Sequence, residues 1–234
     1  MPGIVDIANA ALAHLGDEAN VQSIMPPDGS VQAVHCARFL PIARDSLLEM
    51  HDWNFATRRI VLSELVNDSN QWLYAYAAPT KMICARKVMD ENATDDWSMG
   101  LGGNSNLGLG RNVGPGFVQP ISVNSREGVY TPIPYVVESL DDGTQVIRTN
   151  QCNALLMYTI RVEDPTKWSP LFCDTLGRYL ASYIAGPIIK GQEGRAVAAD
   201  MLKSAMGMMS MARASDANQR RTDIAPAVSW MVNR

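Results

Sequence analysis

Nothing in this chain spells out a reaction. It holds no G-x-x-x-x-G-K-[ST] phosphate loop, no G-x-S-x-G nucleophile elbow and no C-x-x-C pair. P-loop hydrolysis needs that glycine cradle with its lysine, and an α/β-hydrolase needs the strained serine turn, so both classes are disfavoured. The four cysteines (Cys36, Cys84, Cys152, Cys173) and three histidines (His14, His35, His51) are dispersed, without metal-ligand spacing. No apolar run approaches the roughly 20 residues of a membrane helix. A basic segment followed by an apolar stretch and a cleavage site is also missing, so no secretory leader is read. The expectation is a chain made and folded in a cytosol, with reduced thiols acting as small buried apolar groups. Asn67-Asp-Ser69 and Asn92-Ala-Thr94 are then chance glycosylation matches. A net charge of −4 argues against a dedicated nucleic-acid binder, which would present a concentrated basic face. It suits a wall that DNA passes without sticking.

What is present is enough apolar material for a real core: 234 residues, 47% hydrophobic and 19% charged, sufficient for one large or two small domains. Residues 3–15 read as an amphipathic helix with Ile4, Ile7, Ala8, Ala11, Leu12 and Leu15 on one face and Gly16 as its cap. Met25 to Gly29 is a turn, and Ser30 caps a second helix. In that helix Ala33, Cys36, Leu40, Ala43, Leu47 and Met50 fall three or four apart, and Pro41 predicts a kink near residue 37. Asp52 breaks the period. Trp53 and Phe55 then alternate about Asn54 as if the helix ran straight into a strand.

Short strands follow. Arg59–Leu62, Met82–Ala85 and Tyr135–Val137 are rich in β-branched, aromatic or other apolar residues, and Asp141-Asp142-Gly143 before Val146-Ile147 signals a hairpin. The segment 155–160 is apolar on both alternating faces, as in a strand covered on both sides. Helix returns at Ser169-Pro170 with Phe172, Leu176, Tyr179, Leu180 and Tyr183 as its stripe. Gly186-Pro187 ends or bends it, and Gly191 to Gly194 turns the chain. A last helix from Arg195 to about Ala214 offers Val197, Met201, Ala205, Met208 and Met209 or Met211 for burial. With Met206 included, its methionines exceed one buried stripe, so core and subunit interface stand as equal readings.

Two segments stand apart. Residues 98–117 concentrate glycine (Gly100, Gly102, Gly103, Gly108, Gly110, Gly114 and Gly116) and read as a mobile insertion, because ordering such a chain loses too much entropy. The run Gly108-Leu-Gly110-Arg-Asn-Val-Gly114 is a poor dinucleotide fingerprint, since Pro115 follows where a helix should start. Residues 215–234 are polar, then interrupted by Pro226, and end on Trp230 between Val228 and Val232. The plain reading is a disordered terminus; the sharper one is an interface anchor. Acid–base chemistry finds little support. Asp95-Asp96 and Asp141-Asp142 are turn pairs whose side chains diverge, and no carboxylate or serine partner is evident for any histidine. His51 reads as a helix-end residue near the negative dipole end.

The run from Phe39 to Arg59 resembles the tail tubular protein A family of short-tailed phages. Further pieces fit it in order: the helix ending Leu15-Gly16, Tyr76-Ala-Ala-Pro79 before a strand, Leu155 to Asp164 closing the sheet, and the helix at Leu180 to Ala185. Together they cover most of the chain outside residues 90–128. The fold expected is α+β: a four-helix bundle from both chain ends (1–52 plus 165–214), an inserted antiparallel β domain (53–164) carrying the glycine-rich loop, and an extended C-terminal segment (215–234). Trp53, Phe55 and Arg58 would form the bundle–sheet junction. The resemblance implies a virion structural protein, a head-to-tail adaptor made in the host cytoplasm, with no cofactor, metal, catalytic residue or membrane contact. Copies would form a ring, twelve-fold if the family pattern holds, between portal and tail nozzle, as a conduit for genome ejection that passes double-stranded DNA without reading its sequence. Portal contact would fall to Arg220, Arg221, Pro226, Val228, Trp230, Val232 and Arg234. Nozzle contact would fall to Trp97, Leu101, Leu107, Leu109, Arg111 and Phe117. The alternatives are a soluble hydrolase or carbohydrate-binding module using the β insert, or a regulatory binding protein on the same helices.

Overall fold

A computed structural model of the chain describes residues 2–18, 20–90 and 133–219. The protein is α+β, with four helices and two antiparallel sheets among those residues. It divides into two compact units. One joins Met1–Thr57 to Thr159–Gln219 and holds the helices, and the other contains Arg58–Tyr158.

In the helical unit, α1 (Ile4–His14) buries Ile7, Ala8, Ala11 and Leu12. It ends as expected: Gly16 adopts φ +73°, and the Gly16 and Asp17 amides donate back to Ala13 and Leu12 carbonyls, satisfying groups a helix end otherwise orphans. α2 (Val31–Glu49) is capped by the Ser30 hydroxyl, which accepts from the Ala33 amide at 3.1 Å, and it continues through Pro41. Five of its six predicted stripe residues are buried. Met50, at the C-cap, is exposed instead. α3 (Pro170–Ile189) runs through Gly186 and Pro187, which do not end it. The reversal into α4 (Gly191–Asn218) is made at Lys190 and Gly191, with φ +61° and +68°, and the helix runs on through Gly194. α4 exceeds the predicted span at both ends. α3 packs against each of the other three helices, and Phe172, Leu176, Tyr179 and Leu180 are buried on it while Tyr183 is half-buried. On α4, Ala205, Met209 and Ala212 are buried, whereas Met206 and Met211 are exposed.

Strand β1 (Thr57–Val61) begins four residues later than Trp53. Trp53, Asn54 and Phe55 lie in a turn closed by the Ala56 and Thr57 amides donating to the Trp53 carbonyl at 3.0 and 2.9 Å. Alternation of large side chains therefore came from a helical-type turn and not from a strand. β2 (Glu64–Leu65), β3 (Tyr74–Ala77), β4 (Met82–Asp90), β5 (Tyr135–Ser139), β6 (Gln145–Thr149) and β7 (Ala154–Ile160) follow. One sheet has the order β1-β7-β4 and the other β2-β3-β6-β5. β7 is the middle strand of its sheet and is mostly buried on both faces, as its sequence implies. The β5–β6 hairpin turns at Leu140–Thr144 with Gly143 at φ +83°, a value glycine adopts without steric cost.

Candidate functional site

The densest chemistry among the described residues lies in the helical unit, where the turn after α2 meets the last turn of α4. Trp53 is fully buried, and its indole N–H donates to the Leu47 carbonyl at 2.8 Å. Its ring meets Phe55 (5.8 Å between centroids), Phe172 (5.0 Å) and His51 (4.9 Å), and Trp168 extends the cluster from Phe172 (5.6 Å). Edge-to-face pairs of this kind contribute roughly 0.5–1.5 kcal/mol beyond area burial. The junction residues thus separate: Trp53 and Phe55 belong to this cluster, and Arg58 is an exposed residue of β1 in the other unit.

Beside the aromatics sits a polar clamp. Asp216 is only 4% exposed. Its carboxylate accepts the Asn54 backbone N–H at 3.1 and 3.3 Å, while the Asn54 amide donates to the Asp216 carbonyl at 2.7 Å. His51 Nε2 lies 3.4 Å from the same carboxylate, and Arg213 donates to the Met50 carbonyl at 2.9 Å. Burial lowers the His51 pKa and outweighs the Asp216 and Asp52 charges that raise it; Arg213 adds to the lowering. His14, similarly lowered by burial, stands 3.9 Å from Asp174, which also holds Arg178. Two histidines therefore have carboxylate neighbours, contrary to the sequence reading. Each partner comes from a distant helix, so local spacing carried no sign of it.

A histidine–carboxylate pair can hold or relay a proton. Here the carboxylate is committed to Asn54, which makes the cluster a fastening between chain segments. The buried thiols are held protonated: burial pushes Cys36 up to about 11 and raises Cys173. Cys84 is half-buried and Cys152 exposed, so the expectation of four buried thiols fails for Cys152. Among the described residues no group of three or more His, Cys, Asp or Glu is placed to hold a metal ion, and no helix is long and apolar enough to cross a membrane.

No protein-family model matches the chain, and no curated protein matches it.

The proposed portal-contact residues (Arg220, Arg221, Pro226, Val228, Trp230, Val232, Arg234) and nozzle-contact residues (Trp97, Leu101, Leu107, Leu109, Arg111, Phe117) lie outside the described residues. So do Asp95-Asp96 and the glycine-rich loop. In the β unit, sequence reasoning missed Arg148, which is 6% exposed. Its guanidinium donates to Glu138 (2.7 Å), Asp68 (2.8 Å) and Asn67 (3.0 Å), using its planar fork on three acceptors. Asp68 is held below the usual carboxylate range chiefly by that hydrogen bond.

Proposed function

We propose that this chain is a head-to-tail adaptor of a short-tailed phage: a structural protein whose copies form a ring between portal and tail nozzle, and whose work is mechanical. The observation that carries the reading is the order of elements. Helices from both chain ends flank an antiparallel β segment, the order that the resembling pieces, from the helix ending at Leu15-Gly16 to the helix at Leu180–Ala185, imply. The four helices act as a bundle supplying subunit contacts, each burying on the order of 800 Å² per partner to persist. The exposed Leu202, Met206 and Met211 on α4 and Val31, Val34 and Ile42 on α2 supply apolar surface for them. Rings follow from head-to-tail interfaces whose rotation closes. The C-terminal segment with Trp230 engages the portal, and the glycine-rich insertion faces the nozzle. The location is the virion.

The test is solution mass alone and after mixing with portal. A chain ending at Gln219 is the right truncation, because stopping at Ala214 also removes Asp216 and the clamp on Asn54. The adaptor reading expects the full chain to bind portal and the Gln219-terminated chain to lose binding while keeping its helical melting transition. Equal binding by both would assign the contact elsewhere, and no binding by either would remove the reading.

A further inference from the structure

We propose that copies of this chain meet helix to helix, with the exposed face of α2 on one copy laid antiparallel along the Glu193–Met211 line of α4 on the next. On α2, Val31, Val34, Arg38 and Ile42 follow at helical intervals, so they share one face, and all four are exposed. On α4, Glu193, Asp200, Gly207 and Met211 fall on one narrow line along the helix, and they too are all exposed. Exposed apolar side chains taken singly are ordinary, but here they are interleaved with charges. Among the described residues, Arg38, Glu193 and Asp200 have no ion-pair partner in their own chain.

Spacing fixes the register. Seven residues of α-helix advance roughly 10.5 Å, and that interval separates Val31, Arg38 and Asp45 on α2 and Gly207, Asp200 and Glu193 on α4. With the helices antiparallel and Arg38 set on Asp200, Val31 comes to Gly207 and Ile42 to Ala196. Gly207 leaves open space where a Cβ would stand, and Ala196 is small and exposed, so both apolar knobs meet hollows. Glu193 then reaches Asp45, a carboxylate held between Arg44 and Arg161 with one positive charge in excess, which makes the charges complementary at both points. Met211 lies one turn past Val31, toward the end of α2 where the preceding loop exposes Met25. A parallel approach would instead put Glu193 on Val31 and strand its charge against an apolar side chain. Arg195 and Lys203 stand on a different flank of α4, with Leu202 and Met206. Because the two faces differ, the contact is heterologous and propagates from copy to copy. It deepens the adaptor reading and rests on it only in requiring that copies meet.

Sedimentation velocity of the full chain across concentration and salt tests this. Association weakens with salt, and Arg38→Glu or Asp200→Arg alone weakens it about tenfold or more while the melting temperature holds, since both side chains are exposed. Mixing the two variants restores association, because each supplies the charge sign the other lost. Gly207→Leu weakens it without lowering the melting temperature, as leucine is the better helix former and the space at 207 is open in the single chain. A chain that stays monomeric at low salt, single variants that associate like the parent, or a mixture that fails to recover each overturns the proposal. Portal binding, measured on the same variants, judges the adaptor reading separately: a chain that binds portal without self-associating removes this contact and leaves that reading in place.

Discussion

In the helical unit the largest buried side chains are aromatic or aliphatic, with Trp53, Trp168 and Phe172 in one cluster and Leu12, Leu40 and Leu180 along the helix faces. In the β unit a buried arginine stands between Glu138, Asp68 and Asn67, and the tyrosine hydroxyls of Tyr76 and Tyr135 donate to the carbonyls of Gln151 and Ala85 at 2.8 and 3.0 Å. The first unit draws on burial, which is non-directional and proportional to area. The second leans on directed polar contacts that fix particular loops, of which the first has the Asp216–Asn54 clamp. Burial resists global unfolding, whereas directed contacts hold local geometry.

The sharpest way to break this contrast is Trp53→Ala. It removes a fully buried indole and its bond to Leu47, with an expected loss of about 3–5 kcal/mol read from the urea midpoint. Arg148→Met should cost less, about 1–3 kcal/mol, because Asp68 and Glu138 are largely exposed and regain water. Hydrogen exchange should speed in residues 66–73 and stay unchanged in α3. If Arg148→Met matched Trp53→Ala, the contrast would fail. Asp216→Ala strands the Asn54 amide and should cost about 1–2 kcal/mol, visible as faster exchange at the end of α4.

Lys190→Gly should stabilise slightly, by up to about 1 kcal/mol, since a side chain at φ +61°, ψ 166° sits where glycine is the usual occupant. The smallest effect concerns pH. His51 and His14 titrate below their ordinary 6.5 in the folded state, so the unfolded chain takes up protons first. Their contribution is full above pH 6.5 and is lost as pH falls from there through the folded values. His51→Gln should flatten part of that slope in pH-dependent melts.

The helix stripes and the doubly covered β7 were legible because period 3.6 and period 2 are written locally. Serine caps and the Asp-Gly turn were legible for the same reason. Trp53 and Phe55 misled, because two large residues about Asn54 look alike in a strand and in a tight turn. The clamp and the Arg148 cluster were invisible: Asn54 and Asp216 are 162 positions apart, and Arg148 and Asp68 are 80 apart. Charged residues read as solvated until the fold supplies such partners. Of the two readings of Gly186-Pro187, an end or a bend, the end does not occur, because a proline near a helix end removes only one backbone bond.

Two adjacent residues, Lys190 and Gly191, carry the whole reversal between α3 and α4, and that leaves little slack in phase. Adding a single amino acid there would rotate everything after it by about 100°. Ala205, Met209 and Ala212 would then turn away from the surface they cover, and the Asp216 carboxylate would no longer point at Asn54. Length at this position is therefore tightly constrained: no insertion should be accepted there.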